Sequence, residues 1–171
     1  MDGRSSPAPF LIFTYGNPSR GDDALGPFMF DMLEAYKQET GQLDDVDLLT
    51  DFQLQIEHAI DLENRQRILF VDAGIACREP YELQRLKAER DDSFTTHAMS
   101  PASVLSVYQQ INIAEAPPAY LLTIRAYKFG LGLTMSNRAN ENLQSAFDFI
   151  TDGSWLRQIK TDDVEQMNLK G

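Results

Sequence analysis

The sequence predicts an α/β chain: a three-layer α/β/α sandwich on a mostly parallel sheet of about five strands, one edge strand antiparallel. Three observations carry this. Short apolar runs suited to buried strands recur, at Phe10-Leu11-Ile12-Phe13, Arg67 to Val71 and Tyr120 to Ala126. Amphipathic stretches at helical spacing lie between them. The joints are marked by Gly, Pro and Asp, as strand-to-helix turns require.

In order, residues 1–8 read as a loose arm and Pro9 to Tyr15 as the first strand. A glycine-punctuated turn follows, Gly16 to Gly26, and then a helix with Leu25, Phe28, Met29, Met32, Leu33 and Tyr36 on its apolar side. Pro27 lacks an N–H, which places regular helix at or just before it, and Thr40-Gly41 ends it. Asp44 to Thr50 reads as a second strand closed by Asp51. Phe52 to Asn64 repeats Leu54, Ile56, Ala59 and Ile60 as a short helix, in which His58, between Glu57 and Asp61, is either a second cation contact or, the reading preferred, an exposed helical histidine. Arg67 to Val71 is the third strand, followed by Asp72.

Tyr81 to Leu86 alternates with polar outward residues and reads as an edge strand. Arg90 to Met99 is a polar loop holding His97. Ser100-Pro101 opens a helix to about Asn112. The Ala116-Pro117-Pro118 break precedes the strand Tyr120 to Ala126. Thr134 or Ser136 caps a last helix that turns Ala139, Leu143, Ala146, Phe147 and Ile150 inward. Of the charged tail, only Trp155 and Leu156 have the character to dock. The whole is expected to be one domain, 1–171, with 1–8 and 154–171 loose or peripheral.

The net charge of −11 argues against nucleic acid or an anionic membrane as partner. Cys77 is the only cysteine, which leaves no intramolecular disulfide or thiolate zinc cluster. No signal peptide or membrane span is visible, and the chain reads as cytoplasmic.

The first strand-to-helix turn is where open α/β sheets take ligands. Gly16 to Gly21 has the glycine spacing that begins a P-loop, yet Asp22-Asp23 stand where Lys and Ser or Thr are needed. Two negative charges repel a phosphate; they suit a cation, a protonated base or a polarised water. Asp23, Asp51 and Asp72 close or follow successive strands, so a parallel sheet brings them to one edge, and His97 precedes a helix from which it can join them. Carboxylates and an imidazole suit a divalent first-row metal. The alternative is that each Asp caps its own turn and His97 is an ordinary surface residue. Cys77 has no base nearby in sequence, and Thr14 and Ser19 have no histidine partner.

Three blocks carry a resemblance: Gly16-Asn17-x-x-x-x-Asp22-Asp23-x-x-Gly26, Ile68-Leu69-Phe70-Val71-Asp72-Ala73 and Thr96-His97-x-x-Ser100-Pro101. In this order they resemble the signature blocks of the [NiFe]-hydrogenase maturation endopeptidases, over about Phe10 to Ile150. Ile124-Arg125 with Phe129-Gly130-x-Gly132-Leu133-Thr134 resembles a turn of that family. Asp51-Phe52-Gln53-Leu54-Gln55-x-Glu57-His58-Ala59 resembles the branch serving soluble NAD-reducing hydrogenases.

The resemblance implies an endopeptidase that removes the C-terminal extension of the hydrogenase large-subunit precursor after nickel insertion. The nickel is supplied by the substrate rather than permanently bound, and other divalent ions can take the site in vitro. Its contacts map onto Asp23, Asp72 and His97. Asp51 or Asp22 is the candidate to orient or deprotonate the attacking water. Many relatives carry Glu at Asp23, and a glycine pair where this chain has Phe52-Gln53. Two other classes stay open: a non-catalytic metal-sensing chaperone or docking protein for hydrogenase assembly, and a small-molecule α/β enzyme using Asp22-Asp23 for another cation.

Overall fold

The computed structural model describes residues 6–91, 98–158 and 169. Five strands form one sheet: β1 (Phe10–Tyr15), β2 (Val46–Asp51), β3 (Arg67–Gly74), β4 (Tyr81–Arg85) and β5 (Ala119–Arg125). Their order is β2-β1-β3-β5-β4. All neighbouring pairs are parallel except β4 on β5, which is antiparallel at the edge. The helices are α1 (Leu25–Thr40), α2 (Pro101–Asn112) and α3 (Asn137–Thr151), with 3-10 turns at Gly21–Ala24 and Ile56–Leu62.

Alternation along the strands divides the core in two. Ile12, Leu69, Val71, Leu122 and Ile124 meet α1 and α3 on one face. Leu11, Phe13, Ile68 and Phe70 meet Val104 and Leu105 of α2 and Ala59 and Leu62 of the second 3-10 turn on the other. The layers and the antiparallel edge are therefore those expected from sequence.

Several local readings shift. The second strand starts at Val46 because Leu43 takes a positive φ of 59° and the acidic pair after it is spent on the turn. The helix expected over 52–64 contracts to the 3-10 turn Ile56–Leu62, since the chain leaves β2 extended and Gln55 still lies in the β region. In that turn His58 is buried rather than exposed, with 8% of its surface accessible. Phe149, not Phe147, completes the inward face of α3; Phe147 is half-buried, edge-on to Tyr36.

At the start of the described chain, Ala8 is tied rather than loose: its N–H donates to Asp47 Oδ2 at 3.0 Å and its carbonyl accepts from Arg65 at 2.8 Å. Trp155 docks fully buried against Phe10. Among the described residues no helix is long and apolar enough to cross a membrane.

Candidate active site at the carboxyl edge of the sheet

β1 and β2 end level with each other, while β3 runs on to Gly74, so that Asp72, expected to follow that strand, lies within it. Tyr15 pairs with Asp51 in register, and Thr14 pairs with Val71, so Asp72 lies level with Tyr15 on the next strand. The turn leaving β1 folds back tightly on this edge. At Gly16, with φ 150°, a Cβ would stand 2.1 Å from the Asp23 carbonyl oxygen; at Gly26 it would stand 2.3 Å from that of Tyr15. Only glycine permits both approaches, and they bring Asp23 back over the end of the strand it follows.

Asp23 Oδ2 accepts the Asn17 N–H at 2.9 Å, which ties the side chain across its own turn. Asp72 Oδ1 accepts its neighbour Ala73 N–H at 2.7 Å. Burial pushes the Asp72 carboxyl up to about 7, against the Ala73 hydrogen bond, and the charge of Asp23 adds to the rise while a hydrogen bond from Tyr15 opposes it. Burial likewise raises the Tyr15 phenol, which feels both carboxylates and donates to Asp72. Asp23, Asp72 and Tyr15 thus form one interacting group, and the carboxylate pair anticipated from sequence is brought together. His97, the third residue expected to join them, lies outside the described residues. Among the described residues no three His, Cys, Asp or Glu side chains gather as a metal-binding set.

Adjacent residues in sequence, Asp22 and Asp23 have separate surroundings. The side chain of Asp22 is turned away from solvent, with 0% of its surface accessible. It accepts four hydrogen bonds: from the N–H groups of Tyr127 (2.8 Å), Lys128 (2.9 Å) and Ser136 (2.7 Å), and from the Ser136 hydroxyl (2.9 Å). Burial works against its ionisation, but the donors of Ser136, Tyr127 and Lys128 outweigh it and hold the carboxyl below the usual range. Both oxygens are engaged by these donors and the side chain is shut off from solvent, so Asp22 serves as the anchor of the 127–136 loop. Neither Asp is the N-cap of the 3-10 turn or of α1, positions held by Arg20 and Ala24.

Asp51 differs again. Its Oδ1 accepts the Phe52 N–H at 2.7 Å, and its Oδ2 lies 3.1 Å from His58 Nε2. Its side chain is 39% exposed. It lines a cleft of about 300 Å³ with Gly16, Pro18, Pro27, Thr50 and Phe52, between the ends of β1 and β2. What sequence reasoning missed at this edge is the pairing: His58 stands against Asp51, and the Tyr15 phenol beside Asp72. The apolar positions flanking His58 at 54, 56, 59 and 60 did mark its segment as amphipathic.

Other candidates are settled by their contacts. The Cys77 thiol is nearly buried and donates to the carbonyls of Gly74 and Thr123, each at 3.6 Å, and burial raises its pKa. Thr14 donates to Thr50 at 2.9 Å inside the sheet.

No family model matches the chain, and no curated protein matches it. Solved structures do. HycI, a [NiFe] hydrogenase maturation protease from Thermococcus kodakarensis KOD1, superposes with a TM-score of 0.65 at 20% identity, over 86% of this chain and 93% of that one. This is the fold of the hydrogenase maturation proteases. HybD, the hydrogenase maturating endopeptidase from E. coli, gives 0.63 at 20% identity over 87% and 92%. The endopeptidase HycI from Escherichia coli gives 0.62 at 16% identity over 85% and 90%. The overlaps span nearly all of these maturation protease structures.

Proposed function

We propose that this chain is an endopeptidase of hydrogenase maturation, which removes the C-terminal extension of a [NiFe]-hydrogenase large-subunit precursor once nickel has been inserted. The observation that carries the reading is the coupled pair Asp23 and Asp72 at the carboxyl edge of a maturation-protease fold. Burial and the charge of Asp23 both disfavour charge on Asp72. A cation between them reverses that balance.

The nickel in this scheme belongs to the substrate. Asp23 and Asp72 contact it, with His97 as third donor on the strength of the sequence resemblance. Two carboxylate oxygens and an imidazole nitrogen are donors that a divalent first-row metal accepts. As the metal engages, Asp72 gives up the proton that its burial favours. The metal polarises the scissile carbonyl or acidifies a bound water. Asp51, whose carboxylate faces the neighbouring cleft, orients that water and takes its proton, which then passes to the departing amine so that acid and amine products balance. A precursor without nickel offers Asp23 and Asp72 nothing to hold, which makes metal loading the gate. The segment 51–59 favours a precursor from a soluble NAD-reducing hydrogenase.

The test is incubation of the purified chain with nickel-loaded and nickel-free precursor, followed by mass measurement of the large subunit. Shortening of the loaded form alone is the expected result. Binding of the loaded form without cleavage would replace the endopeptidase with a docking protein, and cleavage of both forms would overturn the metal gate.

A further inference from the structure

His58 has a geometry that the scheme above leaves unused. Its Nδ1 accepts the Gln55 backbone N–H at 2.8 Å. An amide N–H only donates, so Nδ1 carries no proton, and the proton of the neutral ring sits on Nε2. That N–H points at Asp51 Oδ2, 3.1 Å away. The ring is nearly buried and meets Phe13 edge-on, with centroids 4.7 Å apart. Phe13 is itself in the core, so backbone, aromatic ring and carboxylate together leave the imidazole one orientation. The Phe52 N–H, on Oδ1, restrains Asp51 from the opposite end of the carboxylate.

We infer that His58 is a positioning residue for the reaction: its Nε2–H holds the Asp51 carboxylate toward the cleft lined by Gly16, Pro18, Pro27, Thr50 and Phe52. The inference rests on the endopeptidase reading, in which Asp51 handles the attacking water. A carboxylate at the end of an edge strand, 39% exposed, has rotamers that point into solvent. Two donors fixed by the backbone and by a buried ring remove those alternatives before substrate arrives. The arrangement inverts the usual order of a histidine oriented by a carboxylate. Here the carboxylate faces the cleft and the histidine stands behind it.

The experiment compares His58→Gln and His58→Leu with wild type on a nickel-loaded large-subunit precursor. Gln keeps an N–H able to reach Asp51; Leu fills the space without a donor. The Leu variant is expected to lose about 10- to 100-fold in kcat with KM within about threefold, while Gln stays within about fivefold of wild type. In parallel, 15N spectra of the labelled full-length chain report the ring directly. With two histidines in the chain, His58→Gln assigns the signal. A protonated Nε2 and unprotonated Nδ1 are expected at neutral pH. Equal kcat for wild type and the Leu variant, equal losses in both variants, or a proton on Nδ1 would overturn this inference alone. Absence of cleavage by wild type would instead overturn the endopeptidase reading, and this inference with it.

Discussion

Asp22 and Ser136 stand 114 residues apart and share two hydrogen bonds, the Ser136 amide at 2.7 Å and its hydroxyl at 2.9 Å both ending on the Asp22 carboxylate. The same hydroxyl accepts the Ala139 N–H as the cap of α3. One serine therefore joins the turn after β1 to the start of the last helix, and the loop between β5 and α3 is held against that turn by a buried charge.

Asp22→Ala should destabilise the protein by about 3 kcal/mol or more, because three backbone N–H groups lose a charged acceptor where no water replaces it. Urea unfolding measures this. Because the folded-state pKa of Asp22 is depressed, its contribution is present above the ordinary carboxylate range and is lost as pH falls through the folded value. The wild-type unfolding midpoint should therefore fall more steeply in acid than that of Asp22→Ala. An equal acid slope in the two proteins would contradict the assignment.

Asp72 has the opposite sign. Its folded pKa of about 7 lies above the ordinary value of 3.8, so the native state holds more protons than the unfolded chain between those limits, and stability declines as pH rises through that window. Asp72→Asn removes this slope and should be more stable than wild type at pH 8, by on the order of 2 kcal/mol after allowance for solvent screening. It should also lose cleavage of the loaded precursor. Thermal melts from pH 4 to 8 give the first outcome and a mass-based cleavage assay the second.

The coupling between the two carboxylates is directly readable. Asp23→Asn removes a charge that raises Asp72, so the Asp72 carboxyl should titrate at lower pH in the variant. A carbon-detected NMR titration follows it. An unchanged titration would mean that burial alone sets the value and that the two side chains do not act as a pair.

His97→Ala is expected to abolish processing of the nickel-loaded precursor, with circular dichroism to check that the variant folds. Normal cleavage by that variant would remove His97 from the metal-contacting set.

Gly26→Ala tests the tight return of the turn. The new Cβ would stand 2.3 Å from the Tyr15 carbonyl oxygen, and backbone faces it, so α1 must move away from β1. A loss of about 3 kcal/mol is expected in urea unfolding, near the upper end of typical overpacking.

Much of the architecture was legible in residue order. Arg67 to Val71 reads as strand because the four residues after Arg67 are all apolar and β-branched in part, and the structure buries Ile68, Leu69, Phe70 and Val71 completely. Pro101 after Ser100 marks a helix start, and the Ser100 hydroxyl accepts the Ser103 N–H as the cap. Parallel topology alone puts Asp51 and Asp72 at one edge, whereas Asp23 reaches it through the tight return of the turn at Gly16 and Gly26. The 56–62 segment was less legible, because four apolar residues near helical spacing look the same in an α-helix and in successive 3-10 turns.

By itself the sequence determined the layers, the strand directions and the edge on which the acidic residues fall, because burial periodicity and turn chemistry are local properties of the chain. Only the tertiary structure decided what surrounds each acid. Asp22 and Asp23 are chemically identical neighbours, yet one is enclosed by donors more than 100 residues away and the other faces Asp72. His58 reads as a surface residue until Phe13 and Asp51 close around it. A side chain's charge state and role depend on what surrounds it in space, and those surroundings come from distant parts of the chain.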